Sequence, residues 1–303
     1  MQRALPDLRR DLEREGYVFS TFSCVETGAY APCDVDWNHR DLPHAAHVHG
    51  SLGAMPVVVT EDRSSSLLFQ PVAGLRLPLS VTHFEAEPGR HVYFTSFAWF
   101  VLFVESSFEA VGGEVRSESR IETHFHLGSP RWLKGFHGWI GRVLVRNHER
   151  LDREDRSLRL RRAALRARGY SFANDSPASY LRSLELDKNN VIPPMPPVPG
   201  WRLAAGPFDD HPRTCLLGSD GHDGIRIEAE QGELRLYPRL CSHDGACLDD
   251  VPRRGYAVVC PWHGRVHRPL ARFRLDTAGA QSAVTAAHDI ELENRILTVV
   301  FKG

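Results

Sequence analysis

From Ala54 to about His126 the chain alternates apolar and polar residues and is rich in Val, Thr, Phe and Tyr. Turn signals interrupt it at Glu61-Asp62, Pro88-Gly89 and Gly112-Gly113. A period of two bounded by such breaks predicts a meander of antiparallel strands. The aromatic run Tyr93, Phe94, Phe97, Trp99, Phe100 and Phe103 reads as sheet core, with inward members shaping an apolar pocket. The period then lengthens. Ile140, Leu144, Leu151 and Leu158 form one stripe, which predicts a long helix from about Pro130 to Arg168, with Ser129 as its cap and Gly169 as its stop.

A proline-rich stretch, Val191 to Gly200 (VIPPMPPVPG), cannot join a helix or a central strand and reads as a semi-rigid spacer. Beyond it, short segments with strand character, Ile225 to Ala229, Glu233 to Pro238, Ala257 to Val259 and Ile296 to Phe301, are separated by Gly, Asp and Pro. They predict a small antiparallel β domain. The expected fold class is α+β. Residues 1–172 form an antiparallel sheet with a long C-terminal helix, the helix-grip arrangement, whose concave side commonly holds an apolar ligand. Residues 173–200 are linker, and 201–303 form the small all-β domain.

Composition narrows the partners. Lys plus Arg number 37 against 38 Asp plus Glu, a net charge of -1 that disfavours nucleic acid or an anionic membrane as partner. The most apolar run, Val92 to Val104, falls short of the roughly 20 residues a spanning helix needs. The N-terminus, MQRALPDLRRDLEREGY, lacks the apolar core of a signal peptide, so a cytoplasmic location is expected. Six cysteines over this length do not make a disulfide framework, but three of them lie between 241 and 260 beside two histidines, which points to metal.

The arrangement is Cys241-Ser-His243, sixteen residues, then Cys260-Pro-Trp-His263-Gly264. Each loop supplies one Cys and one His. Mixed pairing fits a [2Fe–2S] cluster in which one iron takes two thiolates and the other two imidazoles. Tetrahedral zinc is the rival, although zinc ribbons and fingers usually pair like with like. Gly245 and Gly264 are expected to let the loop backbones approach a cluster and aim N–H groups at its sulfurs. The segment from about Trp201 to Phe301 resembles the Rieske domain family. Respiratory members add a cysteine to each loop and join the two by a disulfide. Here Cys247 has no counterpart in the second loop and is expected to be a buried small apolar residue. Trp262 resembles the aromatic found there in ring-hydroxylating oxygenases and their ferredoxins, which implies a potential near −150 mV rather than +300 mV.

A second motif precedes the meander: Asn38-x-x-Asp41-x-x-His44-x-x-x-x-His49. It resembles the mononuclear-iron motif of Rieske non-haem iron oxygenases. The resemblance implies His44 and His49 as Fe(II) ligands, Asp41 as electron relay and Asn38 near the iron, behind the ligands. The family's third ligand is a carboxylate on the C-terminal helix. Asp155 falls on the apolar stripe three residues before Leu158, where a carboxylate is costly unless paired or metal-bound, and Glu154 is the alternate. The same residues also read as a histidine-rich loop and a solvated helix face. His124 and His126, sharing a strand face, and His148, seven residues before Asp155, are weaker candidates.

The resemblance implies an oxygenase that takes electrons from an NAD(P)H-dependent reductase or ferredoxin. It would relay them from the cluster to Fe(II) and use O₂ to hydroxylate, demethylate or desaturate an apolar, cyclic small molecule. Family members commonly form ring-shaped homotrimers, and typical chains carry the Rieske domain first. Here that order is reversed, which leaves transfer within or between chains open. The alternative is a redox carrier or sensor whose metal-free helix-grip domain binds a lipid or aromatic ligand.

Overall fold

The computed structural model describes residues 5–49, 53–72, 75–111, 118–175, 179–194, 198–221 and 224–302. The chain divides into two compact units: Met1–Ala163 with Asn174–Glu185, and Ala164–Ala173 with Leu186–Gly303. The boundaries differ from those expected. The last helical turn and Ser171–Phe172 go with the second unit, while residues 174–185 return to the first.

In the first unit, α1 (Leu5–Arg14) leads into β1 (Tyr17–Gly28), followed by α2 (Pro32–Arg40) and a one-turn helix α3 (Ala45–Val48). The meander comprises β2 (Gly53–Val59), β3 (Arg63–Val72), β4 (Leu75–Glu87), β5 (Arg90–Phe97), β6 (Phe100–Val111) and β7 (Glu118–Pro130). Together with β1 these make a seven-stranded antiparallel sheet in the order β1-β7-β6-β5-β4-β3-β2. Glu61-Asp62 and Pro88-Gly89 fall at hairpin ends as expected, and Gly112-Gly113 lies outside the described residues. β1 had no sequence expectation, because its partner β7 lies about a hundred residues away.

A 3₁₀ segment (Arg131–Phe136) opens into α4 (His137–Arg166), a helix-grip arrangement of sheet and long helix. The first turn is thus 3₁₀ rather than α. Ser129 does not cap it; its hydroxyl lies 2.7 Å from Nε2 of buried His137, whose Nδ1 meets Ser20. α4 approaches β1 so closely that a Cβ on Gly141 would sit 2.4 Å from the Phe22 ring. Alternating burial along β7 turns Ile121, Thr123, Phe125 and Leu127 inward. His124 and His126 consequently lie on the opposite face, His126 against Thr21 and His124 beside Glu122, and do not line the interior.

In the second unit, β8 (Ser171–Phe172) pairs with β9 (Val191–Ile192), so the proline-rich stretch begins as a strand. Then follow β10 (Arg202–Ala205), β11 (Arg213–Leu217), β12 (Ile225–Glu230), β13 (Glu233–Pro238), β14 (Arg253–Arg254), β15 (Ala257–Val259), β16 (Val266–His267), β17 (Ala271–Arg274), β18 (Gln281–Val284), β19 (His288–Glu293) and β20 (Ile296–Phe301). They form three antiparallel sheets, β10-β20-β19-β18, β11-β12-β13-β17 and β14-β15-β16. Phe208, Ile227, Leu234, Leu297 and Val299 are buried in the core of this unit. Among the described residues, no helix is long and apolar enough to cross a membrane.

Candidate functional site

The motif from Asn38 to His49 runs along α2, a 3₁₀ turn (Leu42–His44) and α3. Pro43 cannot extend the preceding helix, so the chain breaks after Arg40 and restarts as a tight turn. His44 and His49 flank the one-turn α3 at its two ends, which brings their rings to 5.3 Å centroid separation. Both present Nε2 to one carboxylate oxygen: Asp155 Oδ1 lies 3.1 Å from His44 and 3.2 Å from His49. The three ligand atoms form one of the candidate metal groups in the chain. Ligand atoms about 3 Å apart are what bonds of about 2.1 Å at near-right angles require, the spacing of a facial two-His, one-carboxylate set.

The other ring nitrogens are held by oxygen. His44 Nδ1–H is directed at the Asp41 carbonyl, with Asp41 Oδ2 at 3.6 Å, and His49 Nδ1–H donates to Glu154 Oε2 at 2.7 Å. Fixing Nδ1 in this way frees Nε2 as a metal donor and raises its basicity. Glu154 and Asp155 therefore divide the work: Asp155 meets both Nε2 atoms and Glu154 orients one ring. Burial pushes the Asp155 carboxyl up, but the His44 charge, hydrogen bonds from both histidines and Arg159 pull it well below the ordinary range. Burial likewise depresses His44, yet Asp155 and Asp41 outweigh it and hold the pKa at about 10. In the metal-free chain a proton on His44 balances a buried carboxylate that a cation would otherwise balance.

Asn38 meets the three residues through an arginine. Its Oδ1 accepts from Arg159 Nε at 3.0 Å and Nη2 at 2.8 Å. Buried Arg159 also pairs with Asp152 at 2.8 Å and reaches Asp155 Oδ2 at 3.8 Å. The asparagine thus steers an arginine that braces the far carboxylate oxygen. Sequence reasoning missed Arg159, although its place four residues after Asp155 on one helix face was a signal.

On one face of the sheet, ring side chains of β4 and β5 pack against His39 of α2. His91 Nε2–H donates to Asp36 at 2.9 Å, and its Nδ1 lies 2.9 Å from His83 Nε2. Tyr93 stacks on His83 at 4.0 Å and bonds His39, which stacks on His91. Burial, with the His91 charge, holds His39 and His83 well below the ordinary histidine value, hence neutral. A cavity of about 60 Å³ lies between β1, β7 and α4, lined by Cys24, Ile121, Thr123, His148 and Asp152 among others. That volume suits a water-sized molecule, whereas ring-sized ligands need roughly 300 Å³ or more. His148, its pKa lowered to about 4 by burial, packs edge-on against Phe125 and stands outside the ligand group.

In the second unit the two motif loops share one backbone plan. Gly245 N–H donates to the Cys241 carbonyl and Gly264 N–H to that of Cys260, each at 2.9 Å. Cys241 N–H reaches the Ala246 carbonyl at 2.9 Å and Cys260 N–H reaches that of Arg265 at 2.8 Å. Both glycines have positive φ, 91° and 70°, which closes each turn without steric cost. Their N–H groups serve the cysteine carbonyls, and the N–H groups of His243, Trp262 and His263 favour the thiolates instead. Segment 187–191 braces both loops: Asn190 N–H donates to the His243 carbonyl at 3.1 Å, and Arg265 donates to the Lys188 carbonyl at 3.0 Å. The start of the proline-rich stretch is therefore structural rather than an idle spacer.

The four motif side chains are buried, with Cys241 at 0% and His243, Cys260 and His263 each at 1% exposure. The two Nδ1 atoms face each other at 3.1 Å, and Asp244 Oδ2 lies 3.0 Å from that of His243. Cys241 and Cys260 share a hydrogen bond that draws Cys260 toward the thiolate and pushes Cys241 up. His243 Nε2 is buried with no hydrogen-bond partner. Paired thiols opposite paired Nδ1 atoms fit the donor set of a cluster with two thiolates and two imidazoles. Sequence reasoning missed His267, whose Nε2–H lies 3.3 Å from Cys241 Sγ. None of the six cysteines is in a disulfide, and Cys247 is half-buried rather than buried, its backbone bridged to that of Leu240.

No family model matches the chain, and no curated protein matches it. Similar solved structures include a START superfamily protein from Mycobacterium smegmatis, at 8% identity and TM-score 0.39, spanning 46% of this chain and 96% of that one. Norcoclaurine synthase from Thalictrum flavum, in complex with dopamine and hydroxybenzaldehyde, aligns at 7% identity and TM-score 0.40 over 53% of this chain and 94% of its own. Zhui aromatase/cyclase from Streptomyces sp. R1128 aligns at 12% identity and TM-score 0.32 over 36% of this chain and 68% of its own. At such identities and scores these likenesses bear on neither metal nor reaction.

Proposed function

We propose that the chain is a Rieske-type non-haem iron oxygenase acting on a small apolar molecule, with electrons drawn from a separate reductase or ferredoxin. The observation that carries the reading is the convergence of His44, His49 and Asp155 on one point, in a chain that also buries a two-cysteine, two-histidine set. When bound, the [2Fe–2S] cluster would supply single electrons and Fe(II) would supply O₂ activation, the chemistry that hydroxylates, demethylates or desaturates. His44 and His49 would present Nε2, held in that tautomer by Asp41 and Glu154, and Asp155 would complete the face. Arg159, anchored by Asn38 and Asp152, would keep the Asp155 carboxylate aimed. Asp41, whose Oδ2 lies 3.6 Å from Nδ1 of His44, would relay the electrons, the role that the resemblance implies for it. Cys241, Cys260, His243 and His263 would hold the cluster.

The test is metal and sulfide analysis of the full chain. About three irons and two sulfides per chain support the oxygenase, and two irons per chain would sink it. A His44→Ala variant should keep the cluster spectrum and lose substrate oxidation. The alternative is a redox carrier or sensor whose metal-free first unit binds a lipid or aromatic ligand, and the two-iron result would select it.

A further inference from the structure

One surface of the first unit combines exposed aromatics with a run of basic residues. Trp132, Phe136, Trp139 and Val143 recur at intervals of four, three and four, so they share one face of the 3₁₀ segment and the start of α4. All four are exposed, at 68%, 56%, 59% and 38%, while Leu133 and His137 between them are buried. The stripe therefore turns away from the core of its own unit. Trp99, 58% exposed at the β5–β6 turn, extends it by packing edge-to-face on Trp132 at 5.6 Å. Half of the six tryptophans in the chain lie here.

Along the segment itself the charge has one sign. Arg131, Lys134, Arg142 and Arg146 flank it, and no Asp or Glu occurs from Thr123 to His148. The net charge of -1 averages over this asymmetry and hides it. Gly135 and Gly138 sit on the same exposed surface. A Cβ on Gly135 would meet open space and one on Gly138 only the tip of Arg142, and neither has positive φ, so nothing in the fold calls for glycine there. Each weakens the helix it occupies and leaves the backbone open to close approach.

We propose that this face docks on the surface of an anionic lipid membrane. Tryptophan favours the boundary between acyl chains and headgroups, and arginine and lysine stems run along apolar surface while their heads reach lipid phosphates. An anionic bilayer offers both partners at one depth along the whole stripe. A protein partner would have to bring its own apolar ridge and row of acids. The proposal is independent of the oxygenase reading, since none of these residues belongs to either metal site.

The test is sedimentation of the full chain with vesicles of phosphatidylcholine alone and of about 70:30 phosphatidylcholine to phosphatidylglycerol, followed by tryptophan fluorescence. Binding to the mixed vesicles with a blue shift, weakened by salt, is expected. Trp132→Ser with Trp139→Ser should lower binding about tenfold or more, and Lys134→Glu with Arg142→Glu should remove the preference for anionic lipid. Both variants change exposed residues, and an unchanged circular dichroism spectrum checks their fold. Failure to bind mixed vesicles, or equal binding by the tryptophan variant, overturns the proposal. So does a wild-type oligomer that the tryptophan variant converts to monomer, because the face would then be a subunit contact.

Discussion

Glu154 and Asp155 are adjacent carboxylates with different predicted work, and substituting each separates a ligand from its support. Asp155 Oδ1 lies 3.1 and 3.2 Å from the two Nε2 atoms, whereas Glu154 Oε2 lies 2.7 Å from Nδ1 of His49, on the far side of that ring. Glu154→Ala should leave all three ligands in place and remove only the anion that orients His49 and raises its basicity. Losing such a partner typically costs about 10–100-fold in metal affinity, or roughly 1.4–2.7 kcal/mol. Glu154→Gln keeps an acceptor but no charge and should fall near the tenfold end. Asp155→Asn removes the only anionic ligand and should exceed the hundredfold limit. Anaerobic titration with Co(II) or Fe(II) measures these affinities, and the visible absorption of an intact cluster serves as the fold control. Equal losses for Glu154→Ala and Asp155→Asn, or an Asp155→Asn affinity within about tenfold of wild type, would refute the division of roles.

Four further outcomes are expected. Cys260→Ser should abolish the cluster spectrum, read by absorption and electron paramagnetic resonance, and leave iron at the histidine–aspartate site. His267→Leu removes the N–H donor 3.3 Å from Cys241 Sγ; at about 0.5–1.5 kcal/mol per hydrogen bond the potential should fall by about 20–65 mV in a redox titration. The His44 value of about 10 lies above its unfolded value, so the stabilisation is full below about pH 6.5 and fades as pH rises toward 10. The metal-free Tm should therefore fall over that window, and metal, which needs neutral His44, should flatten the slope and release a proton. His39, His83 and His148 are depressed, His148 to about 4 by burial, and have the opposite sign: their stabilisation is lost as pH falls below about 6.5, seen as an acid-side drop in Tm.

The parts legible in the sequence were those whose determinants are local. The β2–β7 meander declared itself through alternation and turn residues, and Asp155 stood out as a carboxylate on an apolar stripe. β1 did not, because Ser20, Thr21 and Ser23 blur its alternation and its register is set by β7. The split between Glu154 and Asp155 depends on which nitrogen of which ring each meets, and sequence spacing does not carry that. Nothing in the sequence pointed to a partner for His39, because Tyr93 and His91 arrive from β5. Asn38 had a position without a partner until Arg159 came round from α4.

The interleaving of the two units has a practical consequence for anyone dividing the gene. The polypeptide passes between them after Ala163, after Ala173 and after Glu185, so no single cut separates them. A fragment ending at residue 172 would lack Tyr180, fully buried near His83 in the first unit, and keep Leu165 and Phe172, whose neighbour Leu240 lies in the other piece. Each half would start with a hole the other half's residues had filled. Recombination that moved the second unit would have to carry segment 164–173 with residues 186–303 and leave 174–185 behind, an inheritance in blocks rather than beads on a string.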